Sequence, residues 1–100
     1  MHIITFRRLR EFWEKHPQAE RPLRAWFSHV EHARWQNFAE VRNDFASADQ
    51  VQRLTVFNIA GNHYRLVVRV EYHLQKVFVR AVMTHVEYDR ETWKDDEWFE

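Results

Sequence analysis

Residues 56–89 read VFNIAGNHYRLVVRVEYHLQKVFVRAVMTHVEYD, and the fold turns on this stretch. Three apolar runs rich in β-branched residues lie in or beside it: Thr55–Ile59, Tyr64–Tyr72 and Val77–Met83. Ala60-Gly61-Asn62 parts the first two, and His73-Leu74-Gln75 the last two. Connections this short join only antiparallel neighbours, so the runs predict a three-stranded meander. Strand side chains alternate between faces. Tyr64, Leu66, Val68, Val70 and Tyr72 then share one face, and Arg65, Val67, Arg69 and Glu71 the other. In the third run Arg80 falls with Phe78, Val82 and Thr84, which leaves Val77, Val79, Ala81 and Met83 as the apolar set. Strict alternation thus predicts one apolar face that needs a cover. It predicts an opposite face on which Arg65, Arg69 and Arg80 stand together, with His85, Tyr88 and Asp89 following at the strand's end.

The cover lies upstream. His2-Ile3-Ile4-Thr5 is long enough for one strand, and Thr5 is placed to cap a helix. Phe6, Leu9, Phe12 and Trp13 recur at helical spacing, with charges between them, until His16-Pro17 stops the helix. A second helix runs through Leu23, Trp26, Phe27, Val30 and Ala33, with Pro22 in its first turn, where a missing N–H costs nothing. Asn37-Phe38-Ala39-Glu40 resembles a capping box and opens a short third helix carrying Phe38, Val41 and Phe45. Ala46 to Gln50 reads as a loop. Beyond Asp89 the chain is acidic, with Trp93, Trp98 and Phe99 interspersed; it is either a short helix or a segment ordered by a partner. The expected organisation is a domain over residues 1–90 and an acidic tail over 91–100. The class is α+β: a twisted, mainly antiparallel sheet with helices packed on one face and a basic groove on the other.

One hundred residues make one domain with a modest core, and eight Phe, five Trp and three Tyr enlarge what it can bury. The absence of cysteine removes disulfides and thiolate chemistry and suits a reducing cytosol. No apolar run approaches the ~20 residues that cross a bilayer, and the N-terminus lacks a signal-peptide layout, so the expected location is the cytoplasm. Formal net charge is zero, but its distribution is uneven. Between Arg53 and Thr84 five Lys/Arg meet one acid, Glu71, whereas residues 87–100 hold seven acids and two bases. A basic body with an acidic tail points to an anionic partner.

Several chemistries are poorly supplied. His29 and His32 sit at helical spacing around Glu31, with no third ligand apparent, so neither a metal nor another cofactor is expected. Ser28 and Ser47 lack a nucleophile elbow, and Gly61 is the only glycine, which excludes a phosphate loop. What remains is Arg65, Arg69, Arg80, His85 and Tyr88. Arginine binds phosphate through paired donors and offsets transition-state charge. Histidine, or tyrosine near arginine, moves protons to and from reacting oxygens. Those residue types suit metal-independent cleavage of an RNA phosphodiester. They also suit a non-catalytic RNA- or protein-binding module using the same basic face, although a passive binder has no use for a positioned proton donor.

The segments VFNIAGNHYRLVVRV and VFVRAVMTHVEYD, together with RRLREFWEKHP and PLRAW, resemble the HigB family of type II toxins within the RelE-like superfamily. The resemblance spans about residues 1–90. It implies a RelE-like fold and a ribosome-dependent mRNA endoribonuclease that inhibits translation. It also implies neutralisation by a HigA-type helix-turn-helix antitoxin, through which the complex reaches operator DNA. Matching positions are Asn62, Tyr64 and Arg65, then Thr84, His85, Glu87, Tyr88 and Asp89, with Arg80 at a basic strand position. The expected catalytic residues are Arg65, Arg80, His85 and Tyr88; those expected to hold RNA are Asn62, His63, Arg69 and Lys76.

Overall fold

A computed structural model describes residues 1–99. β1 (His2–Ile4) leads into α1 (Phe6–Lys15), and a 3-10 turn at Pro17–Ala19 leads into α2 (Glu20–Glu31). α3 (Phe38–Asp44), β2 (Asp49–Val51), β3 (Leu54–Ile59), β4 (Tyr64–Glu71) and β5 (Lys76–Thr84) follow. α4 (His85–Asp89) and a 3-10 turn at Thr92–Asp95 end the order. The strands form one sheet in the order β1-β5-β4-β3-β2; only β1, paired with β5, is parallel. The expected α+β class and mainly antiparallel sheet are what the chain forms. No helix is long and apolar enough to cross a membrane among the described residues.

Local signals explain most boundaries. Pro22 sits in the first turn of α2, where an N–H has no intrahelical partner, and the separate turn at Pro17–Ala19 removes the need for a kink. Asn37 Oδ1 accepts from Glu40 N–H at 3.1 Å; the Glu40 carboxylate accepts from Gln36 N–H at 2.7 Å, one residue earlier than a regular capping box. Thr5 occupies the N-cap position of α1 but makes no side-chain cap, because its backbone is left-handed at φ 74°. A β-branched residue there is strained, so the strand-to-helix corner is imposed by the packing on either side. Asp49–Val51, read from sequence as part of a loop and its exit, pairs with β3 instead. α2 stops at Glu31 rather than running through Ala33.

The helices cover one sheet face. Leu9, Trp13, Leu23, Trp26 and Val30 meet Phe57, Ile59, Leu66, Val68, Val70, Val77 and Val79 in the main core. The strict alternation expected of β5 fails at a bulge: Val67 pairs with Ala81 and Val68 with Val79, so Arg80 is the extra residue. Parity flips there. Val77 and Val79 face the helices and Val82 packs with them, whereas Ala81 and Met83 turn to the opposite side.

That opposite side is not simply a wet basic surface. Leu54, Val56, Val67, Met83 and Trp93 form a second buried cluster, joined by Tyr88, Trp98 and Phe99. Residues 92–99 lie across it, and Phe99 C=O accepts from Arg53 N–H at 3.1 Å. The aromatics of the acidic tail therefore supply the cover for the second face.

Candidate active site

Antiparallel register sets the site's location. Tyr64 pairs with Thr84, so the start of β4 and the end of β5 share one end of the sheet. The β3–β4 turn arrives at the same end through Ala60 and Gly61, both at positive φ. His85 N–H donates to His63 C=O at 3.1 Å, which ties this turn to α4. Asn62, His63, Arg65, His85 and Tyr88 are thereby gathered within one corner.

The TH-x-EYD segment folds as a capped turn. Thr84 Oγ1 accepts from Glu87 N–H at 3.2 Å, and the Glu87 carboxylate accepts from Thr84 N–H at 2.9 Å. This reciprocal box fixes α4 and leaves His85 exposed at its first position. Glu87 is committed to the cap.

Arg65 is held on three sides. It donates to Asn62 Oδ1 at 2.6 Å, to Asn62 C=O at 3.1 Å and to Tyr64 C=O at 3.1 Å. Its guanidinium carbon lies 5.5 Å from the centre of the Tyr88 ring. Trp93 stacks on the same ring, centroids 5.0 Å apart and planes 11° apart, and its indole N–H donates to Tyr88 C=O at 3.1 Å. Burial first, and then the nearby Asp49 charge, push the Tyr88 hydroxyl pKa up, against the pull of Arg65 and Lys94. Tyr88 is thus a protonated hydroxyl at neutral pH.

The remaining basic residues lie apart from that corner. Arg80 forms a forked ion pair with Asp96, Nε to Oδ2 at 3.0 Å and Nη2 to Oδ1 at 3.1 Å, with each side chain only 18 % exposed. Trp98 lies against it, 4.1 Å from guanidinium carbon to ring centre. Burial acts to raise the Asp96 carboxyl, but hydrogen bonds from Arg80 and Trp98 N–H and the charges of Arg80 and Arg8 hold it below the usual range. Arg69 pairs with Glu71 at 2.8 Å, four residues along β4 from Arg65. Lys76 pairs in register with Glu71, at the opposite end of the hairpin from Tyr64. Tyr64 itself faces the helices, its hydroxyl donating to Gln18 at 3.3 Å.

Three neighbours escaped the sequence reading: Trp93, Asp49 and Asp96. The available signal was three large aromatics within a short acidic segment, since exposed tails seldom spend so much apolar surface. No group of three or more His, Asp or Glu side chains converges on a metal-sized site among the described residues.

Residues 19–91 match a family described as HigB_toxin, the RelE-like toxic component of a toxin-antitoxin system. The chain belongs to the HigB toxin family. It is 36% identical over 92 residues to the mRNA interferase toxin HigB of Escherichia coli K12, covering 89% of this chain and 88% of that protein. The mRNA interferase HigB of Shigella flexneri matches to the same degree. The mRNA interferase HigB of Escherichia coli CFT073 is 24% identical over 95 residues, 92% of each chain. The family match holds the whole corner from Asn62 to Tyr88 and ends before Trp93, so this HigB-family chain fixes its tyrosine with a residue outside the matched range.

Proposed function

We propose that this HigB-family toxin is an mRNA endoribonuclease that acts on the ribosome in the cytoplasm, without a metal, and is neutralised by a HigA-type antitoxin. The observation that carries the reading is the corner itself. A preorganised arginine, a protonated tyrosine and an exposed histidine sit together, joined by the His63–His85 backbone bond. The mRNA interferase names of the relatives support the same substrate.

In the proposed reaction a ribose 2′-oxygen attacks the adjacent phosphorus while the bond from phosphorus to the 5′-oxygen breaks. His85 takes the 2′-hydroxyl proton. Tyr88, whose hydroxyl is protonated at neutral pH, gives its proton to the departing 5′-oxygen. Arg65 offsets charge on the non-bridging oxygens; because Asn62 and two carbonyls already orient it, little reorganisation is needed when that charge develops. Asn62 and His63 contact the same phosphate region, and Arg69 and Lys76 hold RNA farther along the sheet. Arg80 acts at one remove, by holding the tail that carries Trp93.

The test is to induce the chain in bacteria and map new mRNA 5′ ends with translation running and with initiation blocked. The expected cuts fall inside translated frames and vanish when initiation is blocked. Equal cutting of naked RNA by the purified protein would remove the ribosome requirement.

A further inference from the structure

The second sheet face holds a cavity of about 340 Å³ at the end away from Tyr88. It is lined by Arg53, Arg69, Glu71, Phe78, Glu97 and Trp98, with the exposed Leu74 at its rim. From this lining we infer that the cavity is a nucleotide site, which seats one base of the single-stranded RNA that flanks the cleavage corner. The inference rests on the proposed function for its substrate.

Size and chemistry select this occupant. Ligand clefts start near ~300 Å³, so the cavity admits one small group rather than a run of them. Sequence-tolerant RNA sites pair aromatic surfaces with cations that follow the phosphates. Here Phe78 and Trp98 meet edge to face, centroids 5.1 Å apart, and Arg80 lies over the Trp98 ring, so the aromatic surface is fixed before anything binds. Arg53 supplies an exposed cation, and Arg69 a second one that is ion-paired to Glu71 in the same lining. Arg53 is exposed on the β2–β3 hairpin, which Phe99 C=O pins to the tail.

Placement agrees. Arg65 and Arg69 share a face of β4 four residues apart, about 13 Å along the strand. A strand of RNA with its reacting phosphate at Arg65 can reach the cavity within a few nucleotides on the same face.

The lining also predicts a preference. Glu97 is an exposed acceptor in the lining, whereas Glu71 is occupied by its ion pair with Arg69. Carboxylates accept from exocyclic amino groups. Guanine, adenine and cytosine carry one and uracil does not, so uracil is the disfavoured base.

The experiment titrates the 15N-labelled full chain with the 5′-monophosphates of guanosine, adenosine, cytidine and uridine, followed by NMR. The expected result is saturable movement of the Trp98 indole N–H and of the Phe78 and Arg69 amides in the millimolar range, weakest with the uridine nucleotide. Arg53→Ser, on the exposed hairpin, weakens all four severalfold, and Glu97→Ala removes the disadvantage of uridine. Both sites are exposed, so neither substitution threatens the fold. No movement at Trp98, or movement confined to Tyr88 and His85, overturns the site; a cavity that takes an apolar side chain of a protein partner would give that result. Equal response to all four nucleotides overturns the role of Glu97. The titration is independent of cleavage, so a cleaving His85→Gln variant would sink the catalytic reading and leave this site standing.

Discussion

Trp93 and Tyr88 lie face to face, 5.0 Å between ring centres and 11° from parallel, with the indole N–H bonded to the Tyr88 carbonyl. The stack fixes both the ring and the backbone of the residue proposed to donate the proton. Trp93→Ala removes both restraints and costs about 3–5 kcal/mol of stability, as a large buried aromatic does. In the fraction that stays folded, single-turnover cleavage should fall by up to ~10²-fold, since small misplacements of reacting groups carry such penalties. Trp93→Phe keeps a ring against Tyr88 and should recover most of the rate, with mRNA binding unchanged in both. A folded Trp93→Ala variant that cleaves at the wild-type rate would remove Trp93 from the site.

The Arg80–Asp96 pair should make the tail acid-labile. The folded-state carboxyl of Asp96 titrates below its unfolded value, so its stabilising effect is fully present above the unfolded pKa of about 3.9. It is lost as pH falls through the folded value. The groups facing it are Arg80 and Arg8, which stay charged throughout. At neutral pH, Asp96→Asn should cost about 1.5–3 kcal/mol, the range for hydrogen bonds to charged groups. Asp44 is also held low, through its hydrogen bonds to Trp35 and His29, so the diagnostic quantity is the wild-type minus Asp96→Asn difference in denaturant stability against pH. That difference should shrink toward zero below about pH 4; a constant difference across that range would contradict the ion-pair account.

Arg80 also permits a kinetic test. If it acts by holding the tail, Arg80→Gln and Asp96→Asn should lower the cleavage rate by similar factors, and the double variant should be little worse than either. If Arg80 instead touches the scissile phosphate, Asp96→Asn frees its donors and sustains the rate, while Arg80→Gln abolishes it. Single-turnover rates for the three variants distinguish the cases.

Much of the fold was legible because it follows from local pattern. The three apolar runs with short connections fixed the meander, and Pro22, Asn37 and the Phe6–Trp13 spacing placed the helices. The corner of the candidate site was legible for the same reason, since the Tyr64–Thr84 register brings its two motifs together. The bulge at Arg80 was not legible: neither a glycine nor a proline marks it, and only the packing of Ala81 and Met83 beneath the tail reveals it. Of the two alternatives for the tail, the short helix is present as the 3-10 turn at Thr92–Asp95, but its packing against the sheet was not legible. Asp96 is tied to Arg80, and Trp93, Trp98 and Phe99 have a second sheet face to cover, long-range demands that no local window contains. β2, three residues long, had too little sequence to alternate.

The central claim is that the corner of Arg65, His85 and Tyr88 performs the cleavage. The most direct measurement is the single-turnover rate on ribosome-bound mRNA for wild type and His85→Gln, with ribosome binding measured in parallel. The account predicts a fall of about 10²–10⁴-fold, the usual share of general acid–base catalysis, at unchanged binding. A His85→Gln variant that cleaves at the wild-type rate would contradict it.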